Sequence, residues 1–180
     1  MKSRSDIKIF IVGGGEIGRS LAGHLSRDGY ELTLIDRNPD VVKSLSNSFD
    51  IICFEGNGAS YTTLQELSAG KADIWIAVTE SDELNILSCM TAHMMGAKHT
   101  IARIRDVDYA RQNHFYKDKL GLSMIINPEL ATALEIFRLL RFPLATRVET
   151  FARGRAELVQ INVRDESPLI GHSLIEMNQD

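Results

Sequence analysis

The apolar run Ile9-Phe10-Ile11-Val12 passes directly into Gly13-Gly14-Gly15-Glu16-Ile17-Gly18, and a helical pattern begins near Ile17. This strand–turn–helix order restricts the fold more than any other feature of the chain. Gly13 permits the tight turn at the strand end. Gly15 has no side chain, so backbone N–H groups can approach a pyrophosphate there. Gly18 lets the helix lie close on the strand. The N–H groups of the first helical turn, those of Glu16 and Ile17 among them, have no helical acceptor. With the helix dipole they attract an anion. The spacing therefore points to a dinucleotide, with a ligand-free glycine turn as the alternative.

The rest of the chain repeats the alternation. Residues 7–12, 31–35, 50–54, 74–78, 100–104 and 123–126 read as strands, several almost continuously apolar, as a parallel sheet covered on both faces requires. Residues 17–27, 39–46, 61–67, 82–95 and 108–119 read as helices. Gly29, Gly70 and Gly96 follow helical segments, where a left-handed residue is favoured. Six strands with crossover helices predict a doubly wound α/β sheet of the Rossmann kind, strand order 3-2-1-4-5-6. Residues 129–141 predict a further helix whose apolar positions, Leu130, Ala133, Leu134, Ile136, Phe137, Leu139 and Leu140, cover more than one face. Two apolar faces imply two partners. We expect one face on the sheet and the other on a second subunit; a helix sandwiched within one chain is the alternative. After Pro143, residues 146–152 and 156–163 read as strands joined at Arg153-Gly154, and Pro168-Leu169-Ile170-Gly171 and residues 173–177 begin something new. The expected organisation is a nucleotide-binding domain over 1–141 and, over 142–180, the start of a small α+β subdomain of a longer protein.

Asp36 closes the second strand, 18 residues beyond Gly18. A carboxylate there accepts both ribose hydroxyls of an adenosine and repels a 2′-phosphate, which favours NAD over NADP. Asp36 as a turn or cap residue ahead of Asn38-Pro39 is the plainer reading. Arg37, beside it, lies over the adenine or faces solvent. Asn57, within Gly56-Asn57-Gly58 after the third strand, offers a donor and an acceptor to the adenine edge; an ordinary glycine turn is the alternative. Thr79-Glu80-Ser81-Asp82-Glu83 follows the fourth strand. These residues cap any helix well, yet acids beside a pyrophosphate pocket could also meet a ribose, a cation or a neighbouring subunit. Arg103 and Arg105 share one face of the fifth strand, and one of them could reach the phosphates.

Composition excludes several classes. A net charge of −4 argues against a nucleic-acid partner. No apolar stretch reaches the roughly 20 residues that span a bilayer. Cys53 and Cys89 match no Cys-x-x-Cys spacing and read as buried reduced thiols. None of the five histidines pairs with another ligand type at a metal-site spacing, so no metal is expected.

The order of the glycine turn, Asp36, Gly56-Asn57-Gly58-Ala59-Ser60, Ala77-Val78-Thr79 with Asp82-Glu83-x-Asn85, and Ile101-Ala102-Arg103-Ile104-Arg105 resembles the RCK domain, which regulates potassium channels and transporters. The later Pro128-Glu129, Phe142-Pro143, Phe151-Ala152-x-Gly154 and Pro168-Leu169-Ile170-Gly171 look like the Trk potassium-uptake regulatory (TrkA-like) family. The resemblance covers nearly the whole chain. It implies a cytoplasmic regulatory subunit, peripheral to the inner face of the plasma membrane. That subunit docks on a membrane-embedded potassium transporter of the TrkH/TrkG kind and self-associates as dimers and a ring of RCK domains. Nucleotide binding changes the shape of the ring and gates transport. Family members carry two RCK repeats, so this chain corresponds to about the first half. By the same resemblance Gly13, Gly15 and Gly18 hold the phosphates and Asp36 the ribose. Thr79 and Glu83 line the nicotinamide side, and Arg103 approaches the phosphates. Two positions depart from the pattern. Many RCK domains have an aspartate where this chain has Asn57, and ATP-preferring relatives often carry an arginine in the turn where it has Glu16. A carboxylate there disfavours a bare triphosphate and tilts the choice to NAD(H), with ADP or ATP as the alternative.

A sensor and an NAD-dependent oxidoreductase remain to be distinguished. A dehydrogenase needs an acid or base near the nicotinamide and a domain for substrate. The ends of strands four and five offer no His or Lys, and the chain has no room for a substrate domain. A redox-sensing transcription factor would need a DNA-binding helix, and no winged-helix segment is present. The expected role is a regulator, not an enzyme.

Overall fold

The computed structural model describes residues 3–143, 145–152, 155–163, 166, 167, 170, 171 and 173. Of the expected features, the Arg153-Gly154 turn, Pro168, Leu169 and residues 174–177 lie outside them. The chain forms two compact units, Met1–Pro128 and Glu129–Asp180.

The first unit is a six-stranded, all-parallel sheet of β1 (Lys8–Val12), β2 (Glu31–Asp36), β3 (Ile52–Glu55), β4 (Ile74–Ala77), β5 (His99–Arg103) and β6 (Met124–Ile126). Its order is β3-β2-β1-β4-β5-β6, as the sequence predicts. Side chains alternate across the strands. Ile9 and Ile11 of β1 join Leu32, Leu34, Ala22 and Leu45 on the face covered by α1 (Glu16–Arg27) and α2 (Pro39–Ser48). Phe10 and Val12 face the other way, toward Trp75, Leu64, Ile86, Cys89 and Tyr116 under α3 (Tyr61–Glu66), α4 (Asp82–Met95) and α6 (Asn113–Leu120). Both faces of the central strands are thus apolar, which explains their continuous hydrophobic runs.

One polar chain crosses this second core. The fully buried Trp75 donates its indole N–H to Ser88 Oγ at 2.9 Å, and Ser88 donates to the Gly58 carbonyl at 2.6 Å. A core hydroxyl therefore fixes the turn after β3 from below. Cys89 is fully buried next to it, and desolvation pushes its thiol up to about 12. Cys53 is only partly buried.

Three local expectations are corrected. Residues 108–119 form two helices, α5 (Val107–Arg111) and α6, not one. Tyr109 and Tyr116 would stand roughly 10.5 Å apart along a straight helix. The break at Gln112 brings their rings to 6.2 Å, edge to face, with Tyr116 buried. Gly70 does not supply the left-handed residue after α3. Ser68 does, at φ 54°, and Gly70 lies in a short 3-10 turn, Ala69–Lys71. A Cβ at Gly70 would stand 2.2 Å from the Met95 carbonyl oxygen, so this glycine serves close packing against the end of α4. Finally, β3 covers 52–55, a short edge strand with Ile52 exposed.

The second unit contains α7 (Pro128–Arg141) and an antiparallel hairpin of β7 (Ala145–Phe151) and β8 (Ala156–Ile161). The division between the units falls after Pro128, the first residue of α7, and groups the rest of the helix with the hairpin. Arg141 reaches Glu157 of β8 at 3.0 Å. No residue of α7 is buried, and Leu134, Phe137 and Leu140 are 52–76% exposed.

A candidate nucleotide cleft

The order reverses between β1 and β4, so the chain leaves these neighbouring strands in opposite directions and a crevice opens at their carboxyl ends. A cleft of about 440 Å³ occupies this crevice, the size of a small-molecule site. Val12, Gly13 and Gly15 line it from β1, Ile35, Asp36 and Arg37 from β2, Gly56 and Gly58 from β3, and Val78, Thr79, Glu80 and Ser81 from β4.

The glycine turn is built by contact. Gly13 has φ +102°, a conformation L side chains rarely adopt, and a Cβ there would press on Thr79 at 3.0 Å. Gly18 is buried under the turn, where a Cβ would stand 1.8 Å from the Gly13 carbonyl oxygen. Its role is to seat α1, and it does not line the cleft. Nothing lies within 4 Å of the Cβ position of Gly15, so the space above it is open. Gly15 is the N-cap of α1, with no side-chain hydrogen bond to the first turn. The N–H groups of Glu16, Ile17 and Gly18 are left for a ligand or water. Glu16 is exposed at the first position of α1, and Ile17 is half-buried. Gly14, between Gly13 and Gly15, has a role that its place in the glycine spacing does not reveal. A Cβ there would collide with Val41 at 2.5 Å and Leu45 at 2.8 Å, so α2 packing demands it.

Asp36 is held by two backbone donors. Gly14 N–H donates to Oδ2 at 2.6 Å and Asn38 N–H to Oδ1 at 2.8 Å. The carboxylate therefore ties the β2 end to the glycine turn, with lone pairs left over for a ribose. Asn38, which lines the cleft, also caps α2 through Asp40 N–H. Arg37 lines the cleft and donates to Asn57 Oδ1 at 3.2 Å across the two turns. Asn57 stands at the rim, exposed, between two lining glycines.

On the β4 side the organiser is Asn85, fully buried in α4, to which sequence analysis assigned no role. Its Oδ1 accepts from Thr79 N–H at 2.9 Å and Thr79 Oγ1 at 2.7 Å. Its Nδ2 donates to the Thr79 carbonyl at 3.1 Å and the Arg103 carbonyl at 2.9 Å. Asn85 thus fixes Thr79 and stitches the ends of β4 and β5 together. Arg103 is half-buried, and its guanidinium donates to the Thr79 carbonyl at 3.2 Å. It stands behind Thr79, outside the cleft lining.

The acidic segment is mostly engaged in structure. Asp82 is buried. Its Oδ2 accepts from the backbone of Arg105 and Asp106 at 2.8 Å, and its Oδ1 lies 3.5 Å from the Arg105 guanidinium. Arg105 also donates to the Glu80 carbonyl. Glu83, expected in the cleft, turns outward. It accepts from Ser81 Oγ at 2.9 Å and Tyr109 Oη at 3.2 Å. Its own backbone N–H, then Ser81 and Tyr109, hold the carboxyl below its ordinary range, and the same contact raises the Tyr109 hydroxyl. Among the described residues no group of three or more His, Cys, Asp or Glu could hold a metal ion, and no helix is long and apolar enough to cross a membrane.

The TrkA-N domain model matches residues 9–128. The chain belongs to the TrkA-N family. The Trk system potassium uptake protein TrkA of Halomonas elongata is 34% identical over 170 residues, which cover 93% of this chain and 37% of that protein. A TrkA homolog of Archaeoglobus fulgidus is 30% identical over 95% of this chain and 39% of its own length. The chain therefore spans under two fifths of these relatives. Among solved structures, the TrkA-N domain of the inner membrane protein ybaL from Escherichia coli superposes with a TM-score of 0.66 at 19% identity, over 78% of this chain and 99% of that one. The likeness confirms the fold of the TrkA-N unit.

Replacing Asn85 with Ala removes four hydrogen bonds from the floor of the cleft and leaves buried backbone groups unpaired. The expected loss is about 2–3 kcal/mol of unfolding free energy. Urea unfolding checks it, with hydrogen exchange showing faster exchange at the Thr79 amide.

Proposed function

We propose that this chain is the nucleotide-sensing part of a potassium-uptake regulator and that NAD(H) binds in the cleft as a signal. The observation that carries this reading is the cleft itself. It joins the open space above Gly15, the unpaired N-terminus of α1, the carboxylate of Asp36 and the clamped Thr79 at the sheet's switch point. The α1 N-terminus and Gly15 take the pyrophosphate, Asp36 takes the adenosine ribose, and Thr79 borders the second nucleoside. Glu16, exposed at the head of α1, suits a dinucleotide bridge better than the tail of ATP, because like charges repel there.

Several points support a signal over a reagent. The lining contains no His, Lys or Cys among the described residues. Potassium-uptake proteins share the chain's family, and a GsuK channel bound to NAD has a similar fold, with a TM-score of 0.58 at 19% identity over 83% of this chain and 25% of that one. In the proposed assembly the open apolar positions of α7 pack on a second copy, copies assemble into a ring, and the ring sits on a membrane potassium transporter at the cytoplasmic face. Residues 142–180 then begin a smaller subdomain. Nucleotides shift the ring between arrangements by their differential affinity for them.

Calorimetric titration tests the ligand. NADH and NAD are expected to bind one per chain, with NADPH about tenfold weaker because its 2′-phosphate meets Asp36. ADP and ATP form the comparison, and NADH turnover with candidate substrates would overturn the signalling role. Sedimentation tests the dimer. The chain is expected to sediment as a dimer at micromolar concentration and Phe137→Asp as a monomer; a monomeric wild type contradicts the assignment of α7.

A further inference from the structure

Asn57 lies in the turn after β3, between two glycines of the cleft lining. Its amide orientation is fixed by two donors, Ala59 N–H at 3.1 Å and the Arg37 guanidinium at 3.2 Å, both to Oδ1. An amide oxygen has two lone pairs, so its acceptor capacity is full. The remaining function of the side chain is its NH2 group, a pure donor. Asn57 itself lies between Gly56 and Gly58, which line the β3 side of the cleft, and its partner Arg37 lines the β2 side.

The chemistry of a purine's 6-position then decides the fit. Adenine presents an amino donor there, which needs an acceptor. Hypoxanthine and guanine present a carbonyl, which needs a donor. A carboxylate at position 57 would keep lone pairs free after accepting from Ala59 and Arg37, and would pair with the amino group. Asn57 cannot do so while Arg37 and Ala59 hold its oxygen. It can meet adenine only at a ring nitrogen, but it donates directly to a 6-oxo group.

We propose that Asn57, held by Arg37, makes the cleft permissive for 6-oxopurine nucleotides. The inference rests on the reading of the cleft as a nucleotide site. One hydrogen bond at an exposed rim is worth about threefold to tenfold in affinity, so the effect is a loss of adenine selectivity and not its inversion.

The test is calorimetric titration of the 180-residue chain with NAD and with nicotinamide hypoxanthine dinucleotide, which differ at the 6-position and the neighbouring ring nitrogen. The two dissociation constants are expected to lie within about threefold of each other. Asn57→Asp is expected to shift their ratio about tenfold toward NAD, and Arg37→Ala to shift it the same way by a smaller factor, by releasing one lone pair of Oδ1. Asn57 and Arg37 are both exposed, so neither variant disturbs the core. A wild-type preference for NAD of tenfold or more overturns the proposal while leaving the cleft a nucleotide site. So does a ratio that Asn57→Asp leaves unmoved. Binding of neither dinucleotide overturns the reading of the cleft and the proposal with it.

Discussion

Everything at the carboxyl end of this sheet depends on how closely α1 approaches β1. At Gly18 the helix comes so near the strand end that a Cβ would lie 1.8 Å from the Gly13 carbonyl oxygen. No side chain fits there. This contact places the head of α1 above the crevice and aims its unpaired N–H groups and its dipole into one spot. Gly14, pressed by Val41 and Leu45, brings α2 to the same turn, and Asp36 then bonds to the Gly14 N–H. Three elements meet within a few residues because the turn has no side chains to keep them apart.

The opposite wall has a different construction. There a single buried amide, Asn85, satisfies the N–H, hydroxyl and carbonyl of Thr79 and the carbonyl of Arg103. Below the third wall, Ser88 bridges the Trp75 indole and the Gly58 carbonyl. The loops after β3 and β4 are thus anchored by polar groups of α4, and those after β1 and β2 by the bare glycine turn and the Asp36 carboxylate. Rigid loops present their backbone groups to a ligand without first losing conformational freedom.

Much of this was legible in the sequence because it is local. Apolar runs marked the strands, the glycine spacing marked the turn and its helix, and six strands alternating with crossover helices pointed to the strand order. The misses arise where residues distant in sequence decide. Gly14 needs Val41 and Leu45, and Gly70 needs the Met95 carbonyl. The break between α5 and α6 follows from a contact between two tyrosines. Glu83 follows β4, but it is absent from the cleft lining and bonds to Tyr109, 26 residues later. Asn85 was visible as part of a motif, yet its task appears only when β4 and β5 stand side by side.

In the proposed complex the nucleotide lies across the switch point, with its phosphates on the glycine turn. Amide NMR of the chain titrated with NADH reads this most directly. Saturable shifts are expected to concentrate at Gly13–Gly18, Asp36–Asn38, Gly56–Gly58 and Thr79–Ser81, the four loops that line or underlie the cleft. Saturable shifts confined to other surfaces, or none at saturating NADH, would contradict it.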